Sequence, residues 1–359
     1  MDDIGFAPDR IQAGAPASPG RRILIVSDAW LPQVNGVVRT LSTIAGELRA
    51  MGHVVEVVGP DRFRTIPCPT YPDIRLSLFP RRRLAAIIAG FAPDCLHIAT
   101  EGPLGLAARG WAVRRRIAFT TSFHTRFPEY LQARTRLPVG PSYAFLRRFH
   151  NASSGTLVAT ASLRDELAAR GFTRLVAWSR GVDLSRFTPE PRRDWVTEHG
   201  LQRPIFLYVG RIAVEKNIPG FLDLDLPGSK VVVGGGPQLA ELKARYPGVV
   251  FAGPFSEAEL AAAYAGGDVF VFPSRTDTFG LVLLEALAAG VPVAAFDVTG
   301  PRDVLAGTNG SVGAVGDDLR AAALSALDAD RSACRAHAER FGWRACAQTF
   351  LDALVPLAP

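Results

Sequence analysis

Two short stretches of the 359-residue chain bring together carboxylates, cations and a helix start. The first, Val269-Phe270-Val271-Phe272-Pro273-Ser274-Arg275-Thr276-Asp277-Thr278-Phe279-Gly280-Leu281-Val282-Leu283-Leu284-Glu285-Ala286-Leu287, runs from an apolar strand through a polar loop into an apolar helix. A helix opening near Thr278 aims the amide donors of Phe279, Gly280 and Leu281 outward at its positive end, which suits an anion such as a diphosphate. Asp277 stands beside that end and Glu285 follows eight residues later. In one continuous helix they would lie ~12 Å apart at ~1.5 Å per residue. An inverting glycosidase pair needs ~6.5–9.5 Å, so a hydrolytic acid/base dyad is disfavoured. Two carboxylates so spaced suit the hydroxyls of two different sugars, or else form an N-cap Asp and an exposed helical Glu.

The second stretch is Tyr208-Val209-Gly210-Arg211-Ile212-Ala213-Val214-Glu215-Lys216-Asn217. Arg211 and Lys216 leave the carboxyl end of a strand, where they can neutralise phosphate or remain a solvated loop. The chain has three lysines, Lys216, Lys230 and Lys243, which gives weight to one at a strand end.

Positioning these groups requires a scaffold, and the pattern supplies two. Short β-branched strands alternate with helical runs at 22–27, Gly52 to Pro60, 94–98, 118–122 and 156–160, the signature of a parallel sheet with helices on both faces. A polar, Pro-rich stretch over 186–204 reads as a linker. Alternation restarts at 205–209, 230–234, 249–253, 269–273 and 291–296. The expected domains are therefore a first doubly wound domain over 21–185 and a second over 205–340, after a disordered tail over 1–20. A final helix within 341–359 is expected to cross back to the first domain. Two such sheets leave a cleft between the carboxyl ends of their strands.

Composition agrees: 48% hydrophobic and 21% charged residues exclude disorder for most of the chain and support two domains of roughly 150 residues. The net charge of +6 is unevenly divided. Residues 1–185 hold 24 Arg, no Lys and 14 acidic residues, a net +10, whereas 186–359 hold 16 basic and 20 acidic residues, a net −4. The basic half suits an anionic surface. Nucleic acid is not the expected partner, because that half lacks aromatic-rich recognition motifs and a nucleic-acid reading leaves the cleft unexplained. Cys68, Cys95, Cys334 and Cys346 lack CxxC spacing and read as reduced thiols of a cytosolic protein. The N-terminal residues form no apolar run, and the apolar stretch 281–296 is broken by Glu285 and Pro292, so no membrane span is expected.

Taken together, FPSRTDTFG before the second carboxylate, EALAAGVPV after it, and GRxxxEKN resemble the family-4 retaining glycosyltransferases of GT-B fold. PQVNGVVRTL, FHTRFPEY, RGVDLSRF, VVVGGGP and VVFAGPFS extend the resemblance from residue 21 to about 345. Asp277 stands where many relatives have Glu, and Ser179-Arg180 where many have Pro-Asn. The TDTFG form looks like the branch that glycosylates lipids, including mannosyl, glucosyl, glucuronosyl and sulfoquinovosyl transfer to diacylglycerol-type acceptors.

The resemblance implies an α/β chain whose two Rossmann-like domains face across a cleft and which transfers a hexose or uronic acid with retention. Arg211 and Lys216 would bind the donor diphosphate, Glu285 the nucleotide ribose, and Asp277 with the amides of Phe279, Gly280 and Leu281 the sugar and phosphate. Gly36 would allow close backbone approach, His124 would face the sugar, and Val250 and Phe251 would border the base. The departing phosphate can take the acceptor's proton, so no protein carboxylate need act as base, and with Arg211 and Lys216 neutralising the diphosphate neither a metal nor another cofactor is expected. Asp223-Leu224-Asp225 mimics a metal-binding DxD away from a strand end, and Gly234-Gly235-Gly236-Pro237 reads as a tight turn near the phosphate rather than a dinucleotide fingerprint, since Leu239 fills the third glycine's place. UDP-glucose, UDP-glucuronate and GDP-mannose all remain open as donors, with a lean to UDP-sugars. The acceptor is expected to be a membrane lipid, with a soluble or polysaccharide acceptor as alternative. Arg81-Arg82-Arg83, Arg114-Arg115-Arg116 beside Trp111, and Arg147-Arg148 beside Tyr143 and Phe149 would hold the enzyme peripherally at the inner face of the membrane.

Overall fold

The structure, a computed structural model, describes residues 20–357 apart from 34, 69, 70 and 137; the expected tail lies, but for Gly20, outside the described residues. The first domain contributes strands β1 (Arg22–Val26), β2 (Val54–Val58), β3 (Thr65–Cys68), β4 (Tyr71–Ser77), β5 (Cys95–Ile98), β6 (Thr120–Phe123), β7 (Gly155–Val158) and β8 (Leu175–Ala177). The second contributes β9 (Ile205–Val209), β10 (Ser229–Val233), β11 (Val250–Gly253), β12 (Val269–Phe272), β13 (Val293–Phe296) and β14 (Gly313–Gly316).

Six strands pair in the order β2-β1-β5-β6-β7-β8 and six in the order β11-β10-β9-β12-β13-β14, with parallel registers throughout both sheets. Central strands such as Ile205–Val209 and Val269–Phe272 are buried along their length, because helices cover both faces of a parallel sheet. The chain reverses direction of winding between β9 and β12, so the loops leaving these neighbours open a crevice at their carboxyl ends.

The additional strands and the stretch over 186–204 differ from the sequence reading. Hairpin β3-β4 and edge strands β8 and β14 were not anticipated; β14 is Gly-Ala-Val-Gly and carries little strand signal of its own. Within 186–204 a short helix, Trp195–His199, fully buries Trp195, whose indole donates to the Ala263 carbonyl at 3.2 Å. This polar stretch thus packs on the second domain instead of lying free in solvent. The last helix, Trp343–Ala353, lies against the first domain, where Cys346, Ala347 and Phe350 join Ile23, Ile25 and Trp178 in one cluster. Its Cys346 carbonyl accepts from the Trp178 indole at 3.1 Å. Burial pushes the Cys334 and Cys346 thiols up to about 12 and about 11, as for packing groups.

Candidate active site

The loops after β9 and β12 are stitched together by short polar bonds. Lys216 ends a 3-10 turn over Val214–Lys216, and Asn217 follows in the left-handed region at φ +53°. The Asn217 side chain donates to the Pro273 carbonyl at 3.1 Å, while Thr276 Oγ1 donates to the Glu215 carbonyl at 3.3 Å. These bonds bring Lys216 Nζ within 2.5 Å of Asp277 Oδ1. Burial alone would lower the ammonium's pKa, but Asp277, with Tyr130 and Tyr208 behind it, more than offsets this and holds Lys216 charged. The second oxygen, Asp277 Oδ2, is buried with no hydrogen-bond partner among the described residues. Such an acceptor is costly to leave empty.

Arg211 leaves the same strand, and its carbonyl accepts from the buried Tyr208 hydroxyl at 2.9 Å. The glycine run after β10 supports this loop from below. Gly234 adopts φ +136°, and a Cβ there would lie 1.9 Å from the Gly210 carbonyl oxygen. Close packing of two loop backbones therefore accounts for a glycine at this position.

The helix expected from Thr278 spans Leu281–Ala288, with Gly280 as its N-cap at φ +87°. The unpaired donors of its first turn consequently begin at Leu281. Phe279 lies before the helix and is buried in the second domain's core. Asp277 does not cap this helix; it is the partner of Lys216. Thr278 reaches across the cleft and donates to the His124 carbonyl at 2.7 Å.

Glu285 is 3% exposed, which rules out the exposed helical Glu considered from sequence. Arg39, from the first-domain helix Gly36–Ala50, pairs with Glu285 Oε1, and the Tyr264 hydroxyl donates to Oε2 at 2.8 Å. Burial raises the Glu285 carboxyl, opposed by the Arg39 charge and the Tyr264 bond. Gly36 opens the Arg39 helix, and a Cβ there would stand 3.7 Å from Leu281 Cδ1, so this glycine already faces the opposite domain.

His124 follows β6. Its Nε2 lies 3.0 Å from Ser122 Oγ and its Nδ1 3.4 Å from the Arg180 guanidinium. Both ring nitrogens therefore have protein partners, and the group it turns across the cleft is its backbone carbonyl. Burial, then Arg180, His97 and His150, keep its imidazole neutral well below the usual histidine range. Arg180 is itself buried, stacked 4.1 Å over Trp178 and donating to the Trp178 carbonyl at 2.7 Å. Val250 and Phe251 sit half-buried on edge strand β11, paired with Val231 and Val232.

Arg39, Tyr264, Thr278, Tyr130 and Arg180 thus join a site the sequence reading did not give them. Arg39, Tyr130, Arg180 and Thr278 lay inside quoted motifs, which is the signal that could have found them; Tyr264 carries none, and only the packing of helices Glu257–Ala265 and Leu281–Ala288 within the second domain brings it to Glu285. Among the described residues, no group of three or more His, Cys, Asp or Glu is placed to hold a metal ion.

Comparison with known proteins matches residues 34–186 to the model of Glycosyltransferase Family 4 and residues 203–329 to that of Glycosyl transferases group 1. A GDP-mannose-dependent alpha-mannosyltransferase of Mycolicibacterium smegmatis is 34% identical over 314 residues, covering 79% of this chain and 82% of that protein. The Sulfoquinovosyl transferase SQD2 of Arabidopsis thaliana is 33% identical, covering 80% and 62%, and the Alpha-monoglucosyldiacylglycerol synthase of Streptococcus pneumoniae is 28% identical, covering 76% and 70%. Among solved structures, sucrose-phosphate synthase of Thermosynechococcus elongatus superposes with a TM-score of 0.71 at 20% identity over 92% of this chain and 98% of that one. With two facing parallel-sheet domains and these matches over both, the chain belongs to glycosyltransferase family 4 and is a retaining glycosyltransferase of GT-B fold.

Proposed function

We propose that the chain transfers a hexose or uronic acid from a nucleotide sugar to a membrane lipid such as diacylglycerol or a glycosyl-diacylglycerol. The observation that carries the donor half is the Lys216–Asp277 pair with the partnerless Asp277 Oδ2 beside it. One cation and one unfilled acceptor at a strand-end crevice suit a phosphate and a sugar hydroxyl together. Arg211 and Lys216 stabilise the departing diphosphate, the main electrostatic contribution in such a reaction. The bond from the anomeric carbon to the phosphate oxygen breaks, the acceptor hydroxyl attacks the same face, and the released phosphate oxygen takes its proton. Two cations supply the charge neutralisation in this scheme, which makes turnover independent of added divalent metal.

The acceptor half draws on the diacylglycerol named for the pneumococcal relative and on the surface of the first domain. The three basic clusters do not share a face. Arg81–Arg83 open helix Arg81–Phe91, at the carboxyl-end side of the sheet where the cleft lies, whereas Arg114–Arg116 and Arg147–Arg148 close their helices at the opposite side. Of the aromatics expected to assist, Tyr143 and Phe149 are core residues, and Trp111 is half-buried with Arg115 over its ring. Phe79 instead stands 93% exposed next to Arg81–Arg83, with Leu78 and Leu106 also exposed nearby. An exposed aromatic beside three cations suits the interface of an anionic bilayer. Among the described residues, no helix is long and apolar enough to cross a membrane.

The GDP-mannose-dependent relatives favour mannosyl transfer from GDP-mannose, and the second reading sets a soluble or polysaccharide acceptor in place of the lipid. One assay separates the two. Purified protein is given labelled GDP-mannose, UDP-glucose and UDP-glucuronate, each with diacylglycerol or a monoglycosyl lipid in anionic vesicles or with a soluble sugar or polysaccharide acceptor, with and without a chelator. An α-linked glycolipid formed equally in chelator is expected. Product on soluble acceptors alone overturns the lipid reading, and complete loss in chelator overturns the two-cation scheme.

A further inference from the structure

We infer that Arg39 is a positioning residue of the donor site: from the first domain it holds the Glu285 carboxylate so that two acceptor positions face the ribose. This rests on the reading of Glu285 as the ribose ligand. Arg39 lies in the first turn of helix Gly36–Ala50, over the Phe187 ring at 5.5 Å, with its side chain a third exposed and its guanidinium on Glu285 Oε1. Tyr264, from helix Glu257–Ala265, takes Oε2 at 2.8 Å. A carboxylate offers about four acceptor positions. One donor on each oxygen leaves one free position on each, which matches a vicinal diol.

Tyr264 belongs to the same domain as Glu285 and holds it in any domain arrangement. Arg39 does not, so the ribose site is complete only when the two domains meet. Arg39 also supplies the charge that opposes the burial of Glu285. The other charged groups acting on Glu285 are Arg186 and Glu257, which pair with each other at 2.8 Å and largely cancel. Without Arg39 the carboxyl is driven further up, and a protonated Glu285 loses acceptor capacity as pH falls.

The test is calorimetric titration of the full chain with UDP and with GDP from pH 5.5 to 8, for wild type, Arg39→Met, Arg39→Lys and Glu285→Gln. Arg39→Met is expected to weaken the better-bound nucleotide about tenfold at pH 6 and less at pH 8, moving the acidic limb of binding to higher pH. Arg39→Lys, which keeps the charge without the planar fork, should restore the limb and only part of the affinity. Arg39→Met binding as wild type does, or more tightly, or with an unshifted limb, overturns the inference; tighter binding would make Arg39 a competitor of the ribose. Undiminished binding by Glu285→Gln, or no binding of either nucleotide by wild type, overturns the ribose reading itself.

Discussion

Replacing Lys216 with Met separates its structural from its chemical role. The substitution strands the Asp277 carboxylate that Lys216 holds at 2.5 Å. Breaking a fully buried pair from one side costs ~3–5 kcal/mol; with these side chains 20% and 17% exposed, solvent screening reduces the loss to ~2 kcal/mol. The double variant Lys216→Met with Asp277→Asn leaves no stranded charge, so ~1–2 kcal/mol of that stability should return. Turnover should behave otherwise. A group stabilising charge that develops in the transition state is worth ~10²–10³ in kcat, and Asp277→Asn supplies no replacement cation. Urea denaturation and steady-state sugar transfer on wild type, both single variants and the double variant close the cycle. The expected pattern is recovered stability with kcat still depressed. If the double variant regains turnover along with stability, or Lys216→Met stays within about tenfold of wild type in kcat, Lys216 is a structural partner of Asp277 and the diphosphate role is wrong.

Other outcomes follow from single contacts. Thr278→Val removes the 2.7 Å bond to the His124 carbonyl, worth ~0.5–1.5 kcal/mol, and should lower kcat/KM about two- to tenfold, while Thr278→Ser stays near wild type; equal values for both would disprove a role for this cross-cleft bond. Burial raises the Asp28 carboxyl to about 6 against the opposing amides of Leu104 and Gly105, so the native state binds this proton more tightly than the unfolded chain. The resulting stability is full below about pH 4 and lost as pH rises through about 6. Asp28→Asn should flatten that ~2–3 kcal/mol slope in urea melts, and parallel slopes would contradict the assignment. Substituting Arg81, Arg82 and Arg83 by Ser should lower sedimentation with anionic vesicles at low salt by about 10²-fold, at ~1 kcal/mol per cation. The same change at Arg114–Arg116 should have little effect, and equal losses would refute the placement of the bilayer at the cleft side.

Much of the site was legible because its groups lie on strand-end loops whose sequence is constrained by local geometry. Lys216 and Asn217 sit where a 3-10 turn and a left-handed residue close the loop after β9, and Asp277 lies in the polar loop after β12. The Leu281 helix starts three residues later than expected, because Asp277, the N-cap candidate, pairs with Lys216, the Thr278 hydroxyl crosses to His124, and left-handed Gly280 begins the helix. Tyr143 and Phe149 were misjudged as well: an aromatic beside arginines looks interfacial in one dimension, yet the helical period turns both into the core.

Strand-helix alternation, the charge divide at residue 185 and the Arg211, Lys216, Asp277 and Glu285 spacing are properties of the chain read in order, because each depends on near neighbours or on composition. Tertiary structure alone decided who partners these groups. Lys216 meets Asp277 because sheet order makes β9 and β12 neighbours though some 60 residues separate their loops. Glu285 meets Arg39 across 246 residues because two domains face each other. Periodicity reports which face of an element is buried, but it is silent on what lies opposite, and a charged group's chemistry is set by what lies opposite.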